Sequence, residues 1–311
     1  MTTETNLTKP WLVAVWPGMG HVAVSAGYYL MAKLGMHLLA ELSANEFFDI
    51  EHVEIKNGIV QKGRMPQSRF WVWKDPRGRR DLVVFIGEAQ PPLGKYKFCQ
   101  RLLEFAGTLG VERVFTFAAM ATDMHPGHVS RVFGVATEEE GIEDLRPSGL
   151  TVLEDGHISG LNGLLLGAAA EAGMRGACLL GEMPHIFAQL PFPKASLSVL
   201  EAFATIAGID LDFTEMIEQA REMDQKLGEV LAQWERKMGQ QQESEEEESF
   251  ETGPIDDEDR ARPDDLTHIE DLFGKARQDR SVAYELKREL DRLGVYRDYE
   301  DRFLDLFKTP E

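Results

Sequence analysis

Several short polar stretches in this 311-residue chain directly follow apolar runs, and these are where chemistry would sit. The first is Pro17-Gly18-Met19-Gly20-His21, between the run Leu12–Trp16 and a helical pattern that begins at Val22. A glycine turn between a strand and a helix can cradle an anion, because free backbone amides and the positive end of the helix dipole meet there. Gly18 and Gly20 give that turn its freedom, and His21 adds a titratable ring. The stretch is not a dinucleotide fingerprint, since Ala23 stands where the third glycine belongs, and no Gly-Lys-Ser/Thr follows to make a Walker loop. A turn required by sterics alone explains the glycines as well.

Four further stretches share this placement. Glu88 and Gln90 follow the apolar run 82–86, Thr137 follows 132–136, and Glu182 follows 177–180. Asn162 lies in Ser159-Gly160-Leu161-Asn162-Gly163, which opens an apolar helix. In a parallel sheet the carboxyl ends of the strands gather on one edge, where ligands bind. The expectation is therefore one cleft holding Gly18, Gly20, His21, Glu88, Gln90, Thr137, Asn162 and Glu182. Two carboxylates there could do acid–base work; capping of loops or helix starts, or a subunit contact, is the favoured reading, because polar loop residues are common. No base–nucleophile pair is visible, because Ser25, Ser130 and Ser159 lack the G-x-S-x-G elbow. No catalytic residue is assigned. His125-Pro126-Gly127-His128 reads as a surface turn rather than a zinc site, which needs three or four ligands. Cys99 and Cys178 lack metal-ligand spacing and read as small core residues in a reducing compartment. No metal and no cofactor is implied.

The elements that must position these residues follow from periodicity. Apolar runs at 12–16, 82–86, 114–117, 132–136 and 177–180 read as buried strands. Helical patterns at 22–34, 98–109, 161–172 and 197–207 alternate with them. Val53-Glu54-Ile55 and Ile59-Val60 around Asn57-Gly58 signal a hairpin, and 70–73 another strand, so part of the sheet is antiparallel. The fold class is α/β: a three-layer α/β/α core over residues 11–210 with a mostly parallel mixed sheet, after a disordered lead at 1–10, and followed by a C-terminal helical extension.

Beyond Gly208, a helix over 211–238 carries Met216, Ala220, Met223, Leu227, Val230 and Trp234 at 4,3 steps. That seam is short for a coiled coil, and packing on its own domain is favoured over an oligomer contact. Residues 239–265 hold twelve acids against two arginines, a net of −10 within the chain's −20, and read as a disordered linker. Residues 266–308 show helical spacing again and form a small module.

The acidic balance argues against nucleic acid or an anionic membrane as partner. The first ten residues lack the apolar centre of a signal peptide, and no apolar run reaches the ~20 residues needed to span a bilayer. A cytoplasmic setting is expected.

Taken in order, Gly18-Met19-Gly20-His21-Val22-Ala23 with Tyr28-Tyr29-Leu30, Asp81–Pro91, Val135-Ala136-Thr137, Ile158–Leu165 and Leu180-Gly181-Glu182-Met183-Pro184 resemble the proteasome assembly chaperone 2 family, bacterial members above all, over about residues 11–210. The resemblance implies a fold like that of nucleoside phosphorylases and peptidyl hydrolases, a tendency to self-associate, and a non-catalytic role as chaperone or scaffold for a protein partner. Archaeal relatives can carry a C-terminal hydrophobic-Tyr-any-residue tail that docks on the proteasome core. This sequence ends Lys308-Thr309-Pro310-Glu311 and departs from that pattern. The competing class is an enzyme or small-molecule sensor using the cleft at the strand ends, and a third reading gives the interaction role to the terminal helices.

Overall fold

A computed structural model describes residues 6–43, 46–50, 53–231, 263–278, 282–293, 295, 299, 302, 303 and 306. The chain falls into two compact units, Met1–Trp234 and Glu235–Glu311.

The first unit is built on an eight-stranded sheet. Its strands are β1 (Trp11–Val15), β2 (His37–Glu41), β5 (Ser68–Trp73), β6 (Leu82–Gly87), β7 (Arg113–Thr122), β8 (Val132–Ala136), β9 (Thr151–Val152) and β10 (Arg175–Pro184). β3 (Glu54–Lys56) and β4 (Ile59–Gln61) form a separate two-stranded hairpin. The strand order is β2-β5-β6-β1-β7-β10-β8-β9. β6, β1, β7 and β10 are mutually parallel, whereas β5 runs against β6, β2 against β5, and β8 against β10. The sheet is thus mixed and mostly parallel at its centre.

Helices explain the apolar runs. α1 (Val22–Lys33), α5 (Pro193–Ala207) and a helix α6 over residues 214–231 contribute to one core with Val13 and Val15. α2 (Lys95–Thr108) and α4 (Gly160–Glu171) pack with Leu12, Ala14 and Trp16 on the other face. Successive β1 residues therefore point into two different cores, and all five are buried. Leu12, Val13 and Val15 each contribute roughly 1.5–3 kcal/mol by their full burial. β5, near the sheet margin, alternates buried with half-buried residues instead. Of the seam, Met216 and Leu227 are buried in the first core and Met223 packs against it, Ala220 is also buried, and Val230 is exposed. Trp234 lies outside the described residues.

Three differences from the sequence reading have clear causes. Residues 6–10, expected in a disordered lead, are held by the buried carboxylate of Asp81, which accepts from the Thr8 amide at 2.8 Å. A helix α3 (Glu139–Leu145) stands where a loop was expected, because its acid-rich sequence offers few apolar markers. β8 is antiparallel to its neighbour, which matters below. Most of 239–265 lies outside the described residues; its last three open α7 (Pro263–Gln278).

In the second unit, α7 and α8 (Ala283–Arg292) share a small core of Ile269, Leu272, Phe273, Leu286 and Leu290. Arg302 lies 4.3 Å over the Phe273 ring and pairs with Glu270 through both guanidinium ends.

Candidate functional site

The carboxyl edge of the parallel strands begins at the glycine turn. Gly20 and His21 both adopt left-handed backbone, φ 59° and 51°. A Cβ on Gly20 would stand 2.6 Å from the Met183 sulfur, so glycine is required there on two counts. The turn's amides are spent inside the protein. Gly20 N–H donates to the Ala188 carbonyl at 2.9 Å, His21 N–H to Gly18 at 3.1 Å, and Val22 N–H to Met19. Phe192 N–H in turn donates to the Gly20 carbonyl at 2.9 Å. The turn is therefore sewn to the loop after β10, and those three donors are not aimed at an anion. Gly18, by contrast, is extended and exposed.

Gln90 organises the next position along the edge. Its Nε2 donates to the Pro17 carbonyl at 3.0 Å and its Oε1 accepts from the Leu161 amide at 3.3 Å. It thereby ties the ends of β1 and β6 to the first turn of α4, where Asn162 sits. The Asn162 carbonyl accepts from Thr116 Oγ1 at 3.4 Å, and its buried Oδ1 has no partner in the protein. Among the other buried polar atoms in this condition, the indole nitrogen of Trp16 and the hydroxyl of Ser68 belong to the carboxyl edge; the Nε of Arg80 and the Nε and Nη2 of Arg113 belong to the amino edge. Ser68 lies opposite Gly87 across β5 and β6, and a Cβ at Gly87 would meet the Trp16 ring at 2.4 Å. Glu88 closes the group. Its Oε2 accepts from the Gln67 amide at 3.0 Å and lies 3.3 Å from an Arg64 nitrogen. Beside it is an open hollow of about 550 Å³ lined by Pro17, Tyr28, Arg64, Gly87 and Glu88, among others.

Glu182 sits elsewhere on the same edge. Its carboxylate is 2 % exposed and forms a bidentate pair with Arg131, at 2.7 and 2.6 Å. Thr122 donates to it at 2.9 Å. Arg131, foremost, and Thr122 hold the Glu182 carboxyl below the usual carboxylate range against the opposing effect of burial. Its hollow, about 460 Å³, is lined by Thr122, Asp123, Met124, His128, Val129, Arg131 and Glu182. β6 and β10 are separated by β1 and β7, so the two carboxylates start from strands about 14 Å apart. The single cleft expected from the sequence is two hollows, and Glu88 and Glu182 do not make an acid–base pair.

Thr137 belongs to neither. Because β8 runs antiparallel to β10, its end lies beside the start of β10, where Thr137 Oγ1 accepts from the Gly176 amide at 2.9 Å. That is the opposite, amino edge of the central strands, and Thr137 is removed from the candidate site. The amino edge is charged and holds a hollow of about 350 Å³ lined by Trp11, Arg80, Glu112, Arg113, Asp144, Arg175 and Ile206. Arg113, 5 % exposed, pairs with Asp144 at 3.0 Å, and Arg80 stacks 3.4 Å over the Trp11 ring. Arg175 pairs with Glu138, Glu140 and Asp144. Burial pulls the Arg80 and Arg113 guanidiniums below the ordinary arginine range.

Trp16, Ser68, Thr122 and Arg131 went unrecognised in the sequence; Arg131 in particular has no local signal, since its partner is 51 residues away. His125 and His128 stand in a turn, their rings 5.5 Å apart. Lys194 fastens that turn to the core by donating to the Pro126 and His128 carbonyls and pairing with Asp224. Among the described residues no group of three or more His, Cys, Asp or Glu could hold a metal ion. Both cysteines are free and buried, their thiols pushed up to about 12 by burial. No described helix is long and apolar enough to cross a membrane.

A three-layer α/β domain with shallow polar hollows, and no assembled nucleophile or metal set among the described residues, defines the class. The PAC2 family profile matches residues 12–231, and the chain belongs to that family. The match runs through α6, consistent with the packing of that helix into the domain core. A structure of Pyrococcus furiosus PbaB, described as an archaeal proteasome activator, is 28% identical with TM-score 0.63, covering 73% of this chain and 95% of that one. A PAC2 family protein from Streptomyces avermitilis is 26% identical with TM-score 0.62, covering 71% and 95%. The uncharacterised protein MJ1210 of Methanocaldococcus jannaschii is 26% identical over 226 residues, 70% of this chain and 82% of that one.

Proposed function

We propose that the chain is a non-enzymatic, self-associating, cytoplasmic chaperone or scaffold that receives a protein partner on the carboxyl edge of its sheet. One observation carries this reading. Of the thirteen large apolar side chains that stay exposed among the described residues, ten lie in the connections at that edge. Met19 follows β1, Leu93 follows β6, Val129 follows β7, and Ile186 and Leu190 follow β10; the other five are in the segment between β2 and β5. Isolated exposed apolar residues need no explanation, but a cluster rimmed by polar groups marks an interaction surface. The description of PbaB as a proteasome activator makes proteasome core subunits the first partner to test.

The test is co-elution of the full chain with purified proteasome core subunits, with light scattering to give masses. The expected result is a complex that the variant Met19→Asp/Leu93→Asp/Ile186→Asp does not form, although it melts like the parent. A strict monomer that binds no core subunit at tens of micromolar overturns the reading.

A second reading, a sensor of a small polar molecule, is favoured by the buried unpartnered atoms of Trp16, Ser68 and Asn162 at the carboxyl edge, two of them next in sequence to the Pro17 and Leu161 that Gln90 bonds. A saturable thermal shift with a nucleoside, phosphate, nucleotide or peptide, abolished by Asn162→Ala, would support it.

A further inference from the structure

The hairpin of β3 and β4 does not join the main sheet. All six of its strand residues are exposed, including Ile55 (73 %), Ile59 (67 %) and Val60 (63 %). An isolated two-stranded hairpin is marginal in water and gains stability from further strands. Its turn, Asn57-Gly58, has φ of 52° and 75°, the mirror-image geometry that matches the twist of paired strands.

With two residues in that turn, Lys56 and Ile59 exchange the hydrogen bonds that close it, and the bonding groups alternate along the strand. Lys56 and Glu54 thus direct their backbone groups toward β4, and Ile55 directs its N–H and C=O outward, to an edge with no partner strand. The sequence of that edge, Glu54-Ile55-Lys56, is palindromic in charge. When it meets itself antiparallel about Ile55, each Ile55 exchanges both backbone bonds with its counterpart and each Glu54 faces the Lys56 of the other copy. Glu54 lines the open hollow beside Arg64, whose guanidinium pairs with Glu88.

We infer that β3 is a self-complementary edge, and that its occupant is β3 of a second copy of this chain, giving a four-stranded sheet across a two-fold axis. This deepens the self-association in the proposed function and rests on it. A two-fold contact of this kind is isologous and closes on itself, so it yields a dimer or a dimer of larger units rather than a fibre.

Sedimentation of the full chain over a concentration series tests it. Glu54→Lys and Lys56→Glu each turn two attractive cross-strand pairs into repulsive ones, and each raises the dissociation constant about tenfold. The double swap Glu54→Lys/Lys56→Glu restores the palindrome with the signs reversed, and returns the constant to within about threefold of the parent. Ile55→Cys cross-links two copies with a short bis-maleimide, without interference from the buried Cys99 and Cys178. A double swap as weak as the single ones, or no cross-link at Ile55 in an associating chain, overturns the β3 contact and leaves self-association by another surface standing. A parent chain that stays monomeric throughout overturns both.

Discussion

The two edges of the central sheet solve opposite problems. At the amino edge, Arg80 and Arg113 lie over Trp11, and carboxylates from α3 and its approach pair with Arg113 and Arg175. Asp81 and Asp75 likewise gather the amides of the 74–80 turn and the N-terminal segment. That edge is crossed by charge pairs around a hollow of about 350 Å³, where the Nε of Arg80 and the Nε and Nη2 of Arg113 stay buried without a partner. At the carboxyl edge the backbone of the turns is tied through Gly20, Gln90 and Glu182, and exposed apolar side chains stand there beside exposed charged ones such as Arg64 and Asp123. The lesson is a difference of surface: stacked and paired arginines dominate one edge, and ten of the thirteen exposed large apolar side chains among the described residues lie in the connections of the other.

This contrast can be broken by substitution. The largest effect is expected at the amino edge: Trp11→Ala removes a side chain packed on Phe115 and under Arg80, and should lower unfolding free energy by about 3–5 kcal/mol in a urea titration. Gly20→Ala comes next, at about 2 kcal/mol, since it sets a Cβ against Met183 in left-handed backbone.

The buried Glu182 gives a pH test. Its folded pKa lies below the unfolded value, so its contribution is present above the carboxylate range and is lost as pH falls through the folded value. The melting midpoint of the parent should therefore drop on acidification more steeply than that of Glu182→Gln, and equal slopes would show that the Arg131 pair does not matter to the fold. Gln90→Ala should cost about 1 kcal/mol by releasing Pro17 and Leu161. The smallest effect on stability belongs to Leu93→Ser, within about 0.5 kcal/mol, because the side chain is exposed. If that change destabilises as much as Trp11→Ala, the two edges are not different in kind.

Much of the first unit was legible locally. The runs at 82–86 and 132–136, the Asn57-Gly58 turn and the glycine turn at 17–21 announce themselves through apolar continuity and turn chemistry. Glu88, Gln90 and Asn162 could be brought together because each follows or precedes a recognisable element. Thr137 could not be placed correctly, since a fully apolar strand reads the same in either direction and nothing near Val132–Ala136 states which way it runs. Arg131 and Trp16 went unnoticed for a related reason: one acquires meaning only from a carboxylate on another strand, the other only from the space left by Gly87.

By itself, then, the sequence determined the identity and order of the buried strands and helices, the turns that require glycine, and the family to which the chain belongs, because these depend on periodicity and backbone sterics within a few residues. Only the tertiary structure decided strand direction at β8, the separation of Glu88 from Glu182, and the gathering of exposed apolar side chains at one edge. Those depend on which segments lie next to one another, and in a mixed sheet adjacency is fixed by pairing between residues far apart in the chain.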